Sequence, residues 1–167
     1  MDKIFELSIL TPDGIFLASY SERGLCGLNF PARGNRPKHK HDLAELPEPI
    51  RVWHNLTNNV LADALAGRAP KALPPLDLST GTKFQQSVWQ AMRTIGLGQT
   101  LSYGQIADAI GKPKAVRAVG GACGANPIPL FVPCHRVLAA NRRIGGFSGG
   151  LDWKRKLLAC EGIQFRE

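Results

Sequence analysis

Apolar residues in this chain follow two different periods, and the change from one to the other limits the folds open to it. Between Lys3 and Phe30, short apolar runs (residues 4–10, 15–20 and 25–30) are separated by the Gly-bearing turns Thr11-Pro12-Asp13-Gly14 and Ser21-Glu22-Arg23-Gly24. Strand-length runs between such turns predict an antiparallel meander. Residues 31–49, rich in Pro, Gly, Lys and His, read as a loop. Helical spacing then follows at Ile50, Trp53, Leu56, Val60, Leu61 and Leu65, with Gly67 as a stop. A Pro-rich stretch over residues 69–78 reads as a connector, beyond which nearly every element is expected to be helical. The expected class is therefore mixed α/β (α+β), with a sheet-plus-helix domain over residues 1–78 and a second domain over residues 79–167.

In the second half Thr82 is placed to cap a helix whose apolar face is Phe84, Val88, Trp89, Met92 and Ile95. Ser102 caps a shorter one ending near Ile110. Gly111-Lys112-Pro113 turns the chain into another helix from Lys114 to about Cys123, and helix, tight turn, helix is the shape of a helix-turn-helix. The last of these is unusually small in its side chains: Ala115, Ala118, Gly120, Gly121 and Ala122. Each helical Gly costs about 1 kcal/mol relative to Ala, so close approach must compensate, either of another helix or of a nucleic-acid groove. With few groups able to read base edges, any DNA binding by this helix should be nearly independent of sequence. A final helix is expected over residues 153–160, capped by Asp152 and closed by Glu161-Gly162.

Charge is segregated in the same way. Residues 1–80 carry nine Lys/Arg and nine Asp/Glu, whereas residues 81–167 carry twelve against four, so the whole net charge of +8 lies in the second half. A one-sided basic surface suits a polyanion, although a merely solvated basic face fits it equally well. No stretch is long and apolar enough to span a bilayer, and Met1-Asp2-Lys3 leads into no signal-peptide pattern, so a cytoplasmic location, or nuclear in a eukaryote, is expected. The four cysteines, Cys26, Cys123, Cys134 and Cys160, show no Cys-x-x-Cys spacing and read as free thiols. His39 and His41, with His54 further on, lack a paired Cys motif, and no structural zinc is expected. The Gly-rich run over residues 144–150 is no P-loop, since the Lys-Ser/Thr ending is missing.

Pro133-Cys134-His135-Arg136-Val137 sets a thiol beside an imidazole and a guanidinium. A thiol is a strong nucleophile only as thiolate, which neighbouring cations stabilise. On a regular strand Cys134 and His135 would point to opposite faces, so the chain must bend or a water must bridge the two. The expectation is a buried strand over residues 128–132 that ends at Val132, followed by a tight turn or short helix starting at Pro133.

These residues together resemble the O6-alkylguanine-DNA alkyltransferases. The resemblance rests on Pro133-Cys134-His135-Arg136-Val137, Ser102-Tyr103-Gly104-Gln105-Ile106-Ala107, Arg117-Ala118-Val119-Gly120-Gly121-Ala122, Asn126-Pro127, and Phe147-Ser148-Gly149-Gly150 followed by Glu161-Gly162. The motifs cover residues 82–162 in family order; over residues 1–80 only element order and length agree.

What the resemblance implies is specific. The fold would be a ribonuclease-H-like antiparallel-sheet domain followed by a winged-helix domain that binds double-stranded DNA in the minor groove as a monomer and flips O6-alkylguanine out of the stack. Cys134 would take the alkyl group irreversibly, His135 would accept the thiol proton through a water, and Glu161 would orient the imidazole. Tyr103 would press on the 3′ phosphate and protonate guanine N3, and Arg117 would fill the vacated place in the duplex. Ala118, Gly120 and Gly121 would allow the close approach, and Asn126 would brace the Cys134 turn. The carbonyls of Cys134 and Val137 and the Ser148 N–H would hold the base between apolar walls of Pro129 and Phe147. Neither metal nor cofactor enters this chemistry. Phe147 stands where many members carry Tyr, and Cys123-Gly124-Ala125 lacks an Arg frequent there. O4-alkylthymine and larger adducts are left open.

Overall fold

Three antiparallel strands, β1 (Phe5–Thr11), β2 (Gly14–Ser21) and β3 (Gly24–Asn29), form a sheet in sequence order. The computed structural model describes residues 2–32 and 42–167. The expected meander is thus present, with β1 and β2 in register from Phe5 opposite Tyr20 to Thr11 opposite Gly14. Two-residue connections at Pro12-Asp13 and Glu22-Arg23 leave Gly14 at φ +120° and Gly24 at φ +150°, conformations that a Cβ would strain. Phe5, Leu7 and Ile9 on β1 and Phe16, Ala18 and Tyr20 on β2 are buried on one face, the two-residue period of a half-buried strand.

Helix α1 (Glu48–Leu65) covers that sheet with Ile50, Val60 and Leu61 and stops where Gly67 takes φ +68°. The Pro-rich connector is more than a tether. Pro75 C=O accepts from Leu25 N–H and Leu25 C=O from Asp77 N–H, each at 2.8 Å, so residues 75–77 run alongside β3. The Asp77 carboxylate, nearly buried, accepts from the Ser21 and Ser79 hydroxyls at 2.5 and 2.6 Å. His39 and His41 lie outside the described residues; His54 is buried on α1, with its Nδ1 2.9 Å from the Tyr20 hydroxyl. Among the described residues no group of three or more His, Cys, Asp or Glu could hold a metal ion, and no helix is long and apolar enough to cross a membrane.

Beyond position 80 come α2 (Lys83–Met92), β4 (Leu101–Ser102), α3 (Tyr103–Ala109), α4 (Val116–Gly124), β5 (Val137–Leu138) and α5 (Leu151–Cys160). Thr82 and Ser102 each accept from the N–H three residues on, and Gln85 and Gln105 return the bond, two full capping boxes. Helices α2, α3 and α4 pack together, and the buried Trp89 indole N–H donates to Ala122 C=O at 2.8 Å, pinning α2 to α4. Val88, Trp89, Met92, Ile106 and Val119 join the residues beneath the sheet in one hydrophobic cluster.

Two expectations are corrected. Residues 128–132 form a turn, not a strand: Val132 N–H donates to Ile128 C=O, Pro129 pairs with Val132 across it, and Leu130 takes φ +75°. Pro127 and Pro129 lack the N–H groups that a ladder needs. Asp152 does not cap α5; Gly150 occupies that position and Asp152 pairs with Arg155 at 3.0 Å. The two-residue parallel pairing of β4 with β5 was not foreseen, being too short for any periodicity to show.

Candidate active site

Pro133 ends the turn of residues 128–132, and Cys134–Arg136 form a single 3-10 turn that leads into β5. Asn126 holds this region from the side: its Nδ2 donates to Val132 C=O at 2.8 Å and its Oδ1 accepts from Ile128 N–H at 3.0 Å. Both ends of the strained turn before Cys134 are thereby tied to one buried amide. Cys134 borders a cavity of about 280 Å³ whose other walls are Tyr103, Gly120, Cys123, Gly124, Gly146, Phe147 and Ser148.

Next in sequence to the thiol lies a buried, hydrogen-bonded cluster. His135, 2% exposed, places Nε2 2.8 Å from Glu161 Oε1. Arg136 Nε donates to both Glu161 oxygens and its Nη2 to Oε1 at 2.9 Å, while Gly98 N–H donates to Oε2 at 3.1 Å. Burial alone would raise the Glu161 pKa, but the hydrogen bonds from His135 and Arg136 prevail and bring it down to about 2. An ionised carboxylate only accepts, so the proton of a neutral His135 sits on Nε2 and its lone pair on Nδ1. That Nδ1 is buried and has no hydrogen-bond partner among the described residues. Burial pushes the His135 pKa below the ordinary histidine value despite Glu161, which keeps the ring neutral and the Nδ1 lone pair free to accept a hydrogen bond.

The cation that faces the thiol is not the one adjacency suggests. The Arg136 guanidinium is spent on Glu161 and, through Nη1, on Ile95 C=O at 2.7 Å. Lys154 on α5, fully buried, supplies the charge instead: its Nζ donates to Val137 C=O at 2.7 Å and Gly146 C=O at 2.9 Å. Burial lowers its pKa to about 8, with opposing attraction from Cys134 and Cys123. Burial raises the Cys134 pKa above the ordinary thiol value, against the pull of Asn126 and Lys154. Cys123, also buried, is pushed up to about 12 by burial and then by Cys134. In the resting protein both are thiols.

Tyr103, the first residue of α3, accepts at its hydroxyl from Gly146 N–H at 3.3 Å, and burial raises its pKa. Gly145 allows this contact: at φ +69°, its Cβ would lie 2.9 Å from the Tyr103 hydroxyl. Across the cavity mouth, α4 presents Arg117, Ala118, Gly121 and Gly124 to solvent, while Val119, Ala122 and Cys123 pack inward. A Cβ at Gly120, Gly121 or Gly124 would meet nothing within 4 Å, so these glycines leave an open face and are not packed against a helix.

Of the residues singled out in the sequence, Cys134, Tyr103, Gly120, Phe147 and Ser148 border one cavity. His135, Glu161 and Asn126 lie behind it, joined by hydrogen bonds to each other or to the turn. Arg117, Ala118 and Gly121 are on the neighbouring open face. Pro129 and Val137 are buried and do not border the cavity; the Val137 carbonyl already accepts from Lys154, leaving one lone pair. Lys154, Cys123 and the clamp of Arg136 on Glu161 were missed. A Lys four residues after a Gly-Gly loop, on a helix with mixed charge, looks like any surface lysine.

A family model described as "6-O-methylguanine DNA methyltransferase, DNA binding domain" matches residues 83–163. Over 163 residues the chain is 40% identical to the bifunctional transcriptional activator/DNA repair enzyme Ada of Escherichia coli, covering 89% of this chain and 42% of that protein. It is 46% identical over 124 residues to the methylated-DNA–protein-cysteine methyltransferase of Mycobacterium leprae, covering 70% of this chain and 74% of the relative. The crystal structure of Mycobacterium tuberculosis OGT in complex with DNA superimposes with a TM-score of 0.72 at 38% identity, covering 92% of this chain and 90% of that one. The chain spans between about two fifths and three fifths of the length of the first curated relatives it matches. With a mixed α/β fold shared across nearly its whole length and identity of this order, the chain belongs to the methylated-DNA–protein-cysteine methyltransferase family.

Proposed function

We propose that this protein repairs DNA by direct, stoichiometric and irreversible transfer of an alkyl group from O6-alkylguanine in duplex DNA to Cys134. The observation that carries the reading is the junction of three features. Cys134 borders a cavity of the scale of a small-ligand site, a buried relay with a free basic nitrogen stands behind it, and the side-chain-poor face of α4 flanks the opening. The binding of DNA by a relative of the same fold supports it further.

In this reading the Cys134 proton passes through a water to His135 Nδ1, and Glu161, held ionised by Arg136, stabilises the imidazolium. The thiolate Sγ attacks the alkyl carbon; the C–O6 bond breaks and its electron pair remains on the base. Tyr103 donates a proton at N3 so that guanine departs neutral. A thioether has no acyl carbon for water to attack, so the protein is consumed after one transfer. The raised pKa of Cys134 keeps it a poor nucleophile until a flipped base excludes water and His135 takes the proton.

The same reading assigns α3 and α4 to a winged-helix domain over residues 79–167 that enters the minor groove through the open face of α4, and residues 1–78 to a ribonuclease-H-like domain. Arg117 takes the place of the extruded base. The Cys134 carbonyl, the Ser148 N–H and the Phe147 ring hold the guanine in the cavity, while Pro129 and Val137, which do not border it, support it from outside. The protein acts as a monomer, in the cytoplasm or in the nucleus of a eukaryote.

The test is intact-protein mass after incubation with a duplex holding one O6-methylguanine. The expected result is a gain of one methyl group, mapped to the Cys134 peptide, and no turnover beyond one equivalent. Unchanged mass in a protein that still binds the duplex would reduce it to a lesion-binding protein.

A further inference from the structure

The first thirty residues reach the cavity through a chain of rings. Phe30, one residue beyond β3, is 8% exposed. Its ring centroid is 5.2 Å from Phe16 on β2, 5.1 Å from Trp153 on α5 and 5.5 Å from Phe147, the last at 78°, an edge-to-face contact. Phe16 meets Trp153 in turn, at 5.4 Å and 68°. Phe147 borders the cavity and Phe30 does not, so Phe30 stands behind the wall that Phe147 forms. The loop that carries Phe147 has no regular structure, and its Gly149 fits because a Cβ there would come within 2.9 Å of the Phe30 ring.

We infer that Phe30 is a positioning residue that sets the size of O6 substituent the cavity accepts, by holding Phe147 against retreat. The inference rests on the alkyl-transfer reading above. At about 280 Å³ the cavity lies at the lower edge of ligand-site volumes, roughly 300 Å³ and upward. A benzyl group at O6 brings a whole ring more into this cavity than a methyl group does, so its fit depends on where the Phe147 ring stands. Phe147 is the one apolar ring in the irregular Gly-rich segment, and the direction in which it would yield is occupied by Phe30. Phe30 is in turn wedged between Phe16 and Trp153, so a ring from the N-terminal sheet limits a pocket built from the C-terminal half.

The experiment compares single-turnover transfer from O6-benzylguanine and O6-methylguanine, each in the same duplex, for the wild type, Phe30→Ala, Phe30→Leu and Phe16→Leu. Thermal melting of each variant establishes that it is folded. The ratio of benzyl to methyl rates should rise about tenfold in Phe30→Ala, the scale of a hydrophobic pocket changed by a few methylenes. It should rise less in Phe30→Leu, which keeps most of the apolar fill, and least in Phe16→Leu, which loosens Phe30 from one side only. Phe30→Leu carries the test if Phe30→Ala does not fold. An unchanged ratio in a folded Phe30 variant, or an equal rise in Phe16→Leu, overturns the inference while methyl transfer by the wild type persists. Absence of methyl transfer by the wild type overturns the alkyl-transfer reading itself.

Discussion

Arg136 binds Glu161 through Nε and Nη2, and His135 Nε2 meets the same carboxylate at 2.8 Å. One carboxylate therefore serves two cations or near-cations, and the guanidinium next in sequence to the relay histidine is its anchor. Without Arg136, Glu161 would be drawn to a proton, and a protonated Glu161 could not support an imidazolium.

This arrangement makes stability depend on acid in a defined window. Glu161 has a native pKa of about 2, whereas an unfolded glutamate titrates near about 4.3. Below that value the unfolded chain takes up a proton that the native state refuses, so stability falls as pH drops from about 4.3 towards 2. Urea unfolding of the wild type and Glu161→Gln at pH 6, 4 and 3 should show the variant less stable by about 3 kcal/mol at pH 6, since a buried partner of Arg136 has lost its charge. The gap should narrow at pH 3. A gap independent of pH would mean that Glu161 is not ionised in the native protein.

His135 makes a prediction about rate. Because burial depresses its pKa, the ring is already neutral at neutral pH with its Nδ1 lone pair free to accept, and transfer by the wild type should be nearly flat from pH 6.5 to 7.5, below the range in which Lys154 loses its charge. His135→Ala should lose about 100-fold or more at pH 7. Its residual rate should rise about tenfold per pH unit, because the thiolate then forms only by ordinary dissociation from a thiol of raised pKa. Single-turnover kinetics across this range provide the check; parallel profiles for both proteins would remove His135 from the proton path.

How much of this was legible in the sequence depends on the range of the interaction. The meander, the caps at Thr82 and Ser102 and the helix stop at Gly67 follow from residues within four positions of one another, and they stand as expected. The turn at residues 128–132 was misread because an apolar run looks alike in a strand and in a buried loop, and the side chain that decides it, Asn126, acts on backbone six residues away. Lys154 was invisible for a stronger reason: its partners at Val137 and Gly146 are backbone carbonyls, which carry no sequence signature. The adjacency of Cys134 and Arg136 even pointed to the wrong cation.

Gly121 separates stability from binding. It is exposed on α4, and a Cβ there would meet nothing within 4 Å. Gly121→Ala should therefore stabilise the helix by about 0.5–1 kcal/mol and raise Tm by roughly 2–4 °C. A longer side chain, as in Gly121→Leu, should weaken duplex binding at least tenfold while leaving Tm at or above that of the wild type, if this face lies against DNA. Calorimetry and fluorescence-anisotropy titration measure the two quantities; full affinity in Gly121→Leu would place the DNA elsewhere.

Lys154 gives the prediction most particular to this fold. It is wholly buried, and the groups that oppose its loss of charge are Cys134 and Cys123, neither of which is an anion in the resting protein. Its native pKa of about 8 lies below the roughly 10.4 of an unfolded lysine. Between those values the unfolded chain holds more protons than the native one, so the Lys154 contribution to stability rises with pH from about 8 to about 10.4. Cys134 works in the opposite sense, since its raised native pKa lets the unfolded chain release a proton first, and the two must be separated by difference. In a Cys123→Ser, Cys134→Ser background, which removes both thiols of raised pKa beside the lysine, urea unfolding from pH 7.5 to 10 should show the stability of the Lys154 protein climbing with pH relative to that of Lys154→Met. Lys154→Met also frees the Val137 and Gly146 carbonyls, so in the Cys134 protein transfer should slow at least tenfold as the turn and the Gly-rich loop lose their common tie. An equal climb in Lys154→Met would assign it to another group and show that Lys154 is not the source.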